Sequence, residues 1–277
     1  MNTCIYHANC PDGIMSALVC ALANPGISLY AASDRTSPPP CELIDGKDVV
    51  IADFSYPLEI MKDINSRART LVLLDHHQTA ERALGHLPYC IFEKDKSGAQ
   101  ICWDFFFPGQ LQPILIQAVG EADRGKSDLP FTRSIMVMAE TLPFEPERWL
   151  DFMFRIENDL DAEIQHAAAI SAWRSEKIDR IVAKSYLADI GGHLVPVVNS
   201  CDFKSEIGRR LCRNQPFAAV FSGSEGRWYI SLRSSASGLD VADIAEKLGG
   251  GGHRNAAAFL SERAPRDVEL EEEDAKQ

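Results

Sequence analysis

Hydrophobic and polar positions follow two regimes along this chain. Short apolar runs rich in Val, Ile and Leu stand near residues 3 to 6, 28 to 32, 48 to 53 and 70 to 74, separated by longer segments that read as helix or loop. This alternation predicts βαβ units and a parallel sheet covered on both faces. From Pro146 to Lys184 the pattern turns helical, with Trp149, Phe152, Ile156, Leu160 and Ile164 recurring at roughly 3.6 residues. After Ser185 the chain predicts a strand over His193 to Val198, a helix near Ser205 to Arg213, and strands at Phe217 to Phe221 and Trp228 to Leu232. A helix from Val241 to Leu248 then runs into four glycines. The expected organisation is an α/β domain over 1–140, a helical connector over 141–185, a smaller α/β domain over 186–265 and an acidic, disordered tail over 266–277.

Composition narrows the function classes. The 277 residues are 45% hydrophobic and 25% charged, which is globular and excludes a disordered or collagen-like chain. Lys and Arg number 28 against 40 Asp and Glu, a formal charge of -12, so no general attraction to long duplex nucleic acid is expected. A small phosphorylated ligand held by a local site remains compatible with that balance. The most apolar stretch, Phe105 to Gly120, is cut by Pro108, Gln110, Gln112 and Pro113, so no membrane span is expected. The N-terminal residues lack a basic segment followed by an apolar one, and a cytoplasmic location is the corresponding expectation. Eight cysteines without a CxxC pair disfavour a zinc knuckle and a disulfide framework, and most read as small buried hydrophobes, Cys10 excepted.

The candidate chemistry falls at the ends of the apolar runs. Asp75, His76 and His77 follow Thr70 to Leu74, His7 follows Thr3 to Tyr6, and Asp53 follows Asp48 to Ala52. In open parallel sheets the carboxyl ends of the strands form the ligand crevice, so these residues are expected to converge. An isolated Asp-His-His is equally compatible with a solvated loop, and Asp12-Gly13 with a helix cap. Taken together, His7, Asp12, Asp53, His76 and Asp123 make a mixed imidazole and carboxylate set, the ligand type of Mn²⁺, Fe²⁺ or Zn²⁺. A hydrolytic two-metal centre needs about this number of ligands, with a carboxylate shared. Four successive glycines, Gly249 to Gly252, then present backbone N–H groups to an anion, with His253 placed to donate beside them. A flexible linker is the alternative, disfavoured by the amphipathic helix before the glycines and the Ala-rich segment after them.

With these motifs in order, the chain resembles the DHH/DHHA1 phosphoesterase superfamily, from His7 through Phe259. The resemblance implies an N-terminal domain that holds two Mn²⁺ ions, with Mg²⁺, Co²⁺, Fe²⁺ or Zn²⁺ as alternatives. Its ligands correspond to His7, Asp12, Asp53, His76 and Asp123, with Asp53 as the bridge. It further implies that Asp75 orients an imidazole, that His77 contacts the phosphate or leaving group, and that Gly250, Gly251, Gly252, His253 and Arg233 hold the substrate. Closure of the two lobes through the helical connector is expected to complete the site. Two departures stand out. Ala258 replaces the usual final glycine of the GGGHxxAAG element, and Cys10 stands where an aspartate normally binds metal. Thiolate ligation and a spectator Cys10 remain alternatives.

The implied activity is metal-dependent hydrolysis of a phosphodiester in a short oligonucleotide or small phosphorylated nucleotide, by an enzyme for which a homodimer is admissible. Two other classes compete: a manganese pyrophosphatase or polyphosphatase, which shares the N-terminal motifs but not the glycine element, and a nucleotide-binding regulatory protein with reduced catalysis.

Overall fold

The structure is a computed structural model that describes residues 1–224, 226–266 and 268. Its contacts divide the chain into two units, Met1–Ser171 and Ala172–Gln277. The tail expected over 266–277 lies, but for its first residue and Val268, outside the described residues.

In the first unit, β1 (Thr3–His7), β2 (Ser28–Ala32), β3 (Asp48–Ala52), β4 (Thr70–Asp75) and β5 (Cys90–Phe92) form one parallel sheet in the order β2-β1-β3-β4-β5. The apolar runs lack a polar face because the sheet is covered on both sides. Successive residues serve opposite cores, as the period of two requires. Cys4, Tyr6, Val50, Ala52 and Leu74 enter one cluster, whereas Ile5, Val49, Ile51, Leu71 and Leu73 enter the other. The first cluster is filled by α1 (Pro11–Ala23), α4 (Gly98–Phe106), α5 (Ile114–Asp123), α6 (Thr132–Ala139) and α7 (Pro146–Asn158). The second is covered by α2 (Leu58–Arg67) and Leu84 of α3 (Gln78–Leu84). Helix α1 is buried from Asp12 to Cys20, which explains why its sequence carries no charged stripe.

The helical stretch beginning at Pro146 is two helices, α7 and α8 (Leu160–Val182), broken at Asp159. Trp149, Phe152, Met153 and Ile156 of α7 are buried in the core of the first unit.

The second unit carries β6 (Tyr186–Ile190), β7 (His193–Asn199), α9 (Lys204–Leu211), β8 (Ala218–Ser224), β9 (Arg227–Arg233), α10 (Val241–Lys247), β10 (Gly251–His253) and β11 (Ala256–Ser261). Its mixed sheet has the order β10-β11-β9-β8-β7-β6, with β7 and β8 parallel and the remaining pairs antiparallel. Val195, Val197, Ala219 and Phe221 pack toward α10, and Val198, Ala218 and Val220 toward α9 and the end of α8. Strands β5, β6, β10 and β11 are not predicted by the sequence pattern. Two of them, β5 and β10, have three residues each, too few for an alternation to show.

All eight cysteines are free thiols. Cys4, Cys20, Cys102 and Cys212 are buried, but Cys41 and Cys201 are exposed, so the expectation of mostly buried cysteines holds for half of them. No helix among the described residues is long and apolar enough to cross a membrane.

Candidate functional site

Strands β1, β3 and β4 are neighbours in the sheet, so their carboxyl ends bring His7, Asp53 and the Asp75-His76-His77 run together. Asp53 is the centre. It is 1% exposed, His7 Nδ1 lies 3.4 Å from its Oδ2, and His76 Nε2 lies 3.3 Å from its Oδ1. His76 Nε2 is also 3.4 Å from Asp123 Oδ2 and 3.9 Å from Asp12 Oδ2. Cys10, immediately before α1 and without a side-chain cap bond, completes a group with His7 and Asp53. Three overlapping groups thus have donor atoms within 4.8 Å of one another: His7, Cys10 and Asp53; Asp12, His76 and Asp123; and Asp53, Asp75, His76 and His77.

Local backbone positions each donor. Asp53 adopts φ +54°, a left-handed conformation rare for a residue with a Cβ, which turns its carboxylate off the end of β3. Asp12 sits in the first turn of α1 and accepts the backbone N–H of Gly98 at 2.6 Å and of Ala99 at 3.0 Å. Those amides belong to the start of α4, whose N-terminus is closed by a capping box between Ser97 and Gln100. Helix α4 therefore directs free N–H groups and the positive end of its dipole at the Asp12 carboxylate. Gly98 has no room for a side chain, since a Cβ there would lie 2.5 Å from Asp53 Cβ. Neither Gly98 nor Ala99 is singled out by sequence reasoning. The Ser-Gly-Ala-Gln spacing marks a helix start but not the carboxylate at which it points.

Asp75 is fully buried and ties the motif together. Its Oδ1 accepts the N–H of His76 at 2.7 Å and lies 2.7 Å from Nδ1 of His77. With Nδ1 bound to a carboxylate, the proton of a neutral His77 resides there and Nε2 is left for another partner. The His77 side chain is a third exposed.

The electrostatics are those of a site built for cations. The Asp53 carboxylate, followed by the Cys10 thiol, pushes His7 up to about 10. Burial pulls His76 down, but Asp53, Asp12 and Asp123 outweigh it and leave its pKa at about 9. Burial, reinforced by the charges of Asp53 and Asp123, raises Asp12 to about 8. Asp53 goes the other way, because His7 and His76 hold its carboxyl below the usual range despite burial. Both Asp53 oxygens and His76 Nε2 are buried without a hydrogen-bond partner. An unsatisfied buried carboxylate costs several kcal/mol unless a positive charge meets it, and a mixed imidazole and carboxylate set fits a borderline or hard divalent ion. The residues present therefore fit the pair of cations that the sequence resemblance implies.

The remaining predicted residues lie in the second unit. Arg233 ends β9, where it donates to the Ser231 hydroxyl at 3.0 Å, the Leu232 carbonyl at 2.8 Å and the Ser205 hydroxyl at 2.9 Å. Ala256 of β11 is in register with Arg233 on one side and His253 of β10 on the other, so the three form one row across the sheet. The glycines have individual duties. The N–H groups of Gly249 and Gly250 close the end of α10 on the carbonyls of Glu246 and Ala245. A Cβ on Gly250 would stand 2.1 Å from the Ala258 carbonyl oxygen, and one on Gly252 2.5 Å from Ala257 Cα. Gly249 and Gly251 have no neighbour within 4 Å of an added Cβ, but Gly249, at φ +80°, holds a left-handed backbone that favours glycine.

Residues 207–273 match the family model of the DHHA1 domain. Over 280 residues the chain is 29% identical to the uncharacterized protein R106 of Acanthamoeba polyphaga mimivirus, an alignment covering 92% of this chain and 66% of that protein. It is 37% identical over 68 residues to the oligoribonuclease NrnB of Bacillus subtilis, covering 24% of this chain and 16% of NrnB. The chain thus spans less than two thirds of the length of either relative. Its fold resembles that of a pGpG-specific phosphodiesterase, PggH from Vibrio cholerae, with a TM-score of 0.55, 12% identity, and coverage of 100% of this chain and 97% of that one. At that identity the likeness is one of fold.

Proposed function

Starting from a chain that is a DHH/DHHA1 protein, we infer that it is a metal-dependent phosphoesterase cleaving phosphodiester bonds in short oligonucleotides or a small nucleotide. The observation that carries this reading is Asp53, a buried carboxylate between His7 and His76 with neither oxygen hydrogen-bonded. His7 and Asp53, with Cys10, would hold one ion, and Asp12, Asp53, His76 and Asp123 the other, Asp53 being shared. Divalent cations bound there supply Lewis acidity and lower the pKa of a coordinated water, with Mn²⁺ the expected pair.

The chain's own residues supply the rest. The Gly98 and Ala99 amides fix the Asp12 carboxylate in one orientation, which pre-pays the entropy of arranging a ligand. Asp75 locks the His77 ring, and with both ring nitrogens protonated Nε2–H would donate to a phosphate oxygen and pass its proton to the departing oxygen. In the second unit Arg233, its guanidinium oriented by two serines and a carbonyl, binds a phosphate together with His253 and the backbone of Gly251 and Gly252, whereas the N–H of Gly250, expected to join them, is committed to the Ala245 carbonyl. The preference for a short substrate is supported by the net charge of -12 and by the oligoribonuclease among the similar proteins. The DHHA1 match disfavours the pyrophosphatase alternative.

The test is a substrate panel of dinucleotide and trinucleotide RNA, longer single-stranded DNA, cyclic dinucleotides, a nucleotide bisphosphate and pyrophosphate, each with Mn²⁺ and with Mg²⁺. Short diesters should be cleaved, and Asp53→Asn and His76→Ala should abolish turnover while retaining the wild-type circular dichroism spectrum. Cleavage of pyrophosphate alone, or undiminished turnover by Asp53→Asn, would overturn the reading.

A further inference from the structure

Two of the candidate donors arrive through different helices. Asp12 is held by the Gly98 and Ala99 amides at the start of α4, and Asp123 is the last residue of α5. Both approach His76 Nε2, Asp123 at 3.4 Å and Asp12 at 3.9 Å, so the seating of α4 against α5 sets the spacing of the two carboxylates. A line of side-chain amides crosses that joint. Gln100 Oε1 accepts the Ser97 N–H at 3.2 Å, Gln100 Nε2 donates to Gln112 Oε1 at 2.9 Å, and Gln112 Nε2 donates to Asp104 Oδ1 at 2.9 Å. The other Asp104 oxygen pairs with Lys96 Nζ at 2.9 Å. From α5, Gln117 Nε2 donates to the Gln112 carbonyl at 2.7 Å.

The line admits one direction only. Ser97 supplies a backbone N–H, which can only donate, and Asp104, held by Lys96, supplies a carboxylate, which can only accept, so the two ends fix the orientation of both glutamines. Gly120, one turn before Asp123, is pressed against the first amide: a Cβ there would stand 2.5 Å from Gln100 Oε1 and 2.6 Å from its Cδ. Glycine thus lets the end of α5 close on the segment that carries Ser97, Gly98 and Ala99. A capping box needs only Ser97 and Gln100. Gln112, Asp104 and Gly120 do something else, since they join two helices and end neither.

We propose that Gln100 and Gln112 are positioning residues for the donor set: their amides clamp α4 to α5 and so fix the spacing of the Asp12 and Asp123 carboxylates that, with His76, would share one ion. Two carboxylates facing one imidazole repel each other, and helices free to slide would let them part. The clamp holds them at the separation an ion needs before it arrives, as outer partners of metal ligands do. It rests on the reading of Asp12, His76 and Asp123 as ligands, but its test does not depend on turnover.

The experiment titrates the metal-stripped full chain with Mn²⁺ and counts bound ions by electron paramagnetic resonance. Wild type should take up two ions. Gln112→Ala should weaken one of them about tenfold, the lower end of the cost of losing an outer partner, and leave the other within about twofold. Gly120→Ala, which wedges the same joint from α5, should weaken the same ion. In a His7→Ala background, which removes a donor of the other ion, the loss should persist. Gln112→Glu sets an oxygen against Asp104 and should also weaken binding, whereas Gln112→Glu/Asp104→Asn restores a donor at that contact with net charge kept and should recover wild-type affinity. Ile64→Val, a core truncation in α2, controls for stability and should alter neither ion. Equal loss of both ions in Gln112→Ala, no loss, or failure of the paired exchange to recover affinity overturns the clamp. Hydrolysis of a dinucleotide RNA is followed in parallel. Two ions in wild type with binding unchanged in the variants removes the clamp and leaves the donor reading, and fewer than two in wild type removes both. A selective loss in the variants without hydrolysis in wild type keeps the clamp and removes the catalytic reading.

Discussion

Asp12 and Gly98 stand 86 positions apart in the chain, yet the carboxylate of one accepts the backbone N–H of the other at 2.6 Å. The contact couples the first turn of α1 to the first turn of α4 and places a helix dipole behind the Asp12 carboxylate, a proposed metal ligand. Because a Cβ on Gly98 would meet Asp53 Cβ at 2.5 Å, Gly98→Ala should push α4 away from both aspartates. The expected result is a destabilisation of about 1–3 kcal/mol, typical of overpacking, with metal affinity reduced at least tenfold. Chemical denaturation and metal titration check it, and unchanged metal affinity would detach the α4 amides from the site.

The site's protonation predicts how stability and metal binding change with pH. In the metal-free fold His7 and His76 are raised from 6.5 to about 10 and about 9, and Asp12 from 3.8 to about 8. Groups raised on folding stabilise fully below their ordinary values, and that contribution disappears as pH climbs through the folded ones. Asp53, lowered on folding, contributes above 3.8 and loses its share only as pH falls through its folded value. The metal-free protein should therefore lose thermal stability from about pH 4, through Asp12, and on to about pH 10, the folded value of His7. A divalent ion must displace these protons, so its stabilising effect should grow over the same interval. Melting temperatures with excess chelator and with Mn²⁺ should diverge with rising pH, and convergence would contradict the donor assignment.

Cys10 offers a direct readout of metal binding. If its thiolate ligates beside His7 and Asp53, added metal should slow its alkylation by about tenfold or more, while the exposed Cys41 and Cys201 serve as internal references. Cys10→Asp should shift preference from Zn²⁺ or Co²⁺ toward Mn²⁺, since a carboxylate is the harder ligand. Alkylation of Cys10 at the same rate with and without metal in peptide mapping would make the thiol a spectator.

His253 is exposed at the end of β10, in the strand row it shares with Arg233. His253→Ala should raise KM several-fold without changing the number of ions bound, because it contributes none of the donor atoms. Loss of metal from this variant, measured by elemental analysis, would reassign it.

Much of this protein is recorded locally. The four apolar runs, the helix after His7 and the Asp-His-His run at a strand end are properties of adjacent residues, and periodicity reads such properties directly. The candidate donors are legible for the same reason, since His7, Asp53 and His76 are polar residues interrupting or ending apolar runs. What periodicity does not contain is the order of strands. That β1, β3 and β4 are neighbours, and so bring His7 and His76 within 3.4 Å of Asp53, is decided by sheet packing. The left-handed backbone at Asp53 and the amides of Gly98 and Ala99 aimed at Asp12 depend on contacts with no signature in nearby sequence. The glycine run shows the division most sharply. Its composition announced a special backbone, but only the close approach of β11 distinguishes Gly250 and Gly252, where a side chain cannot fit, from Gly251, where there is space for one.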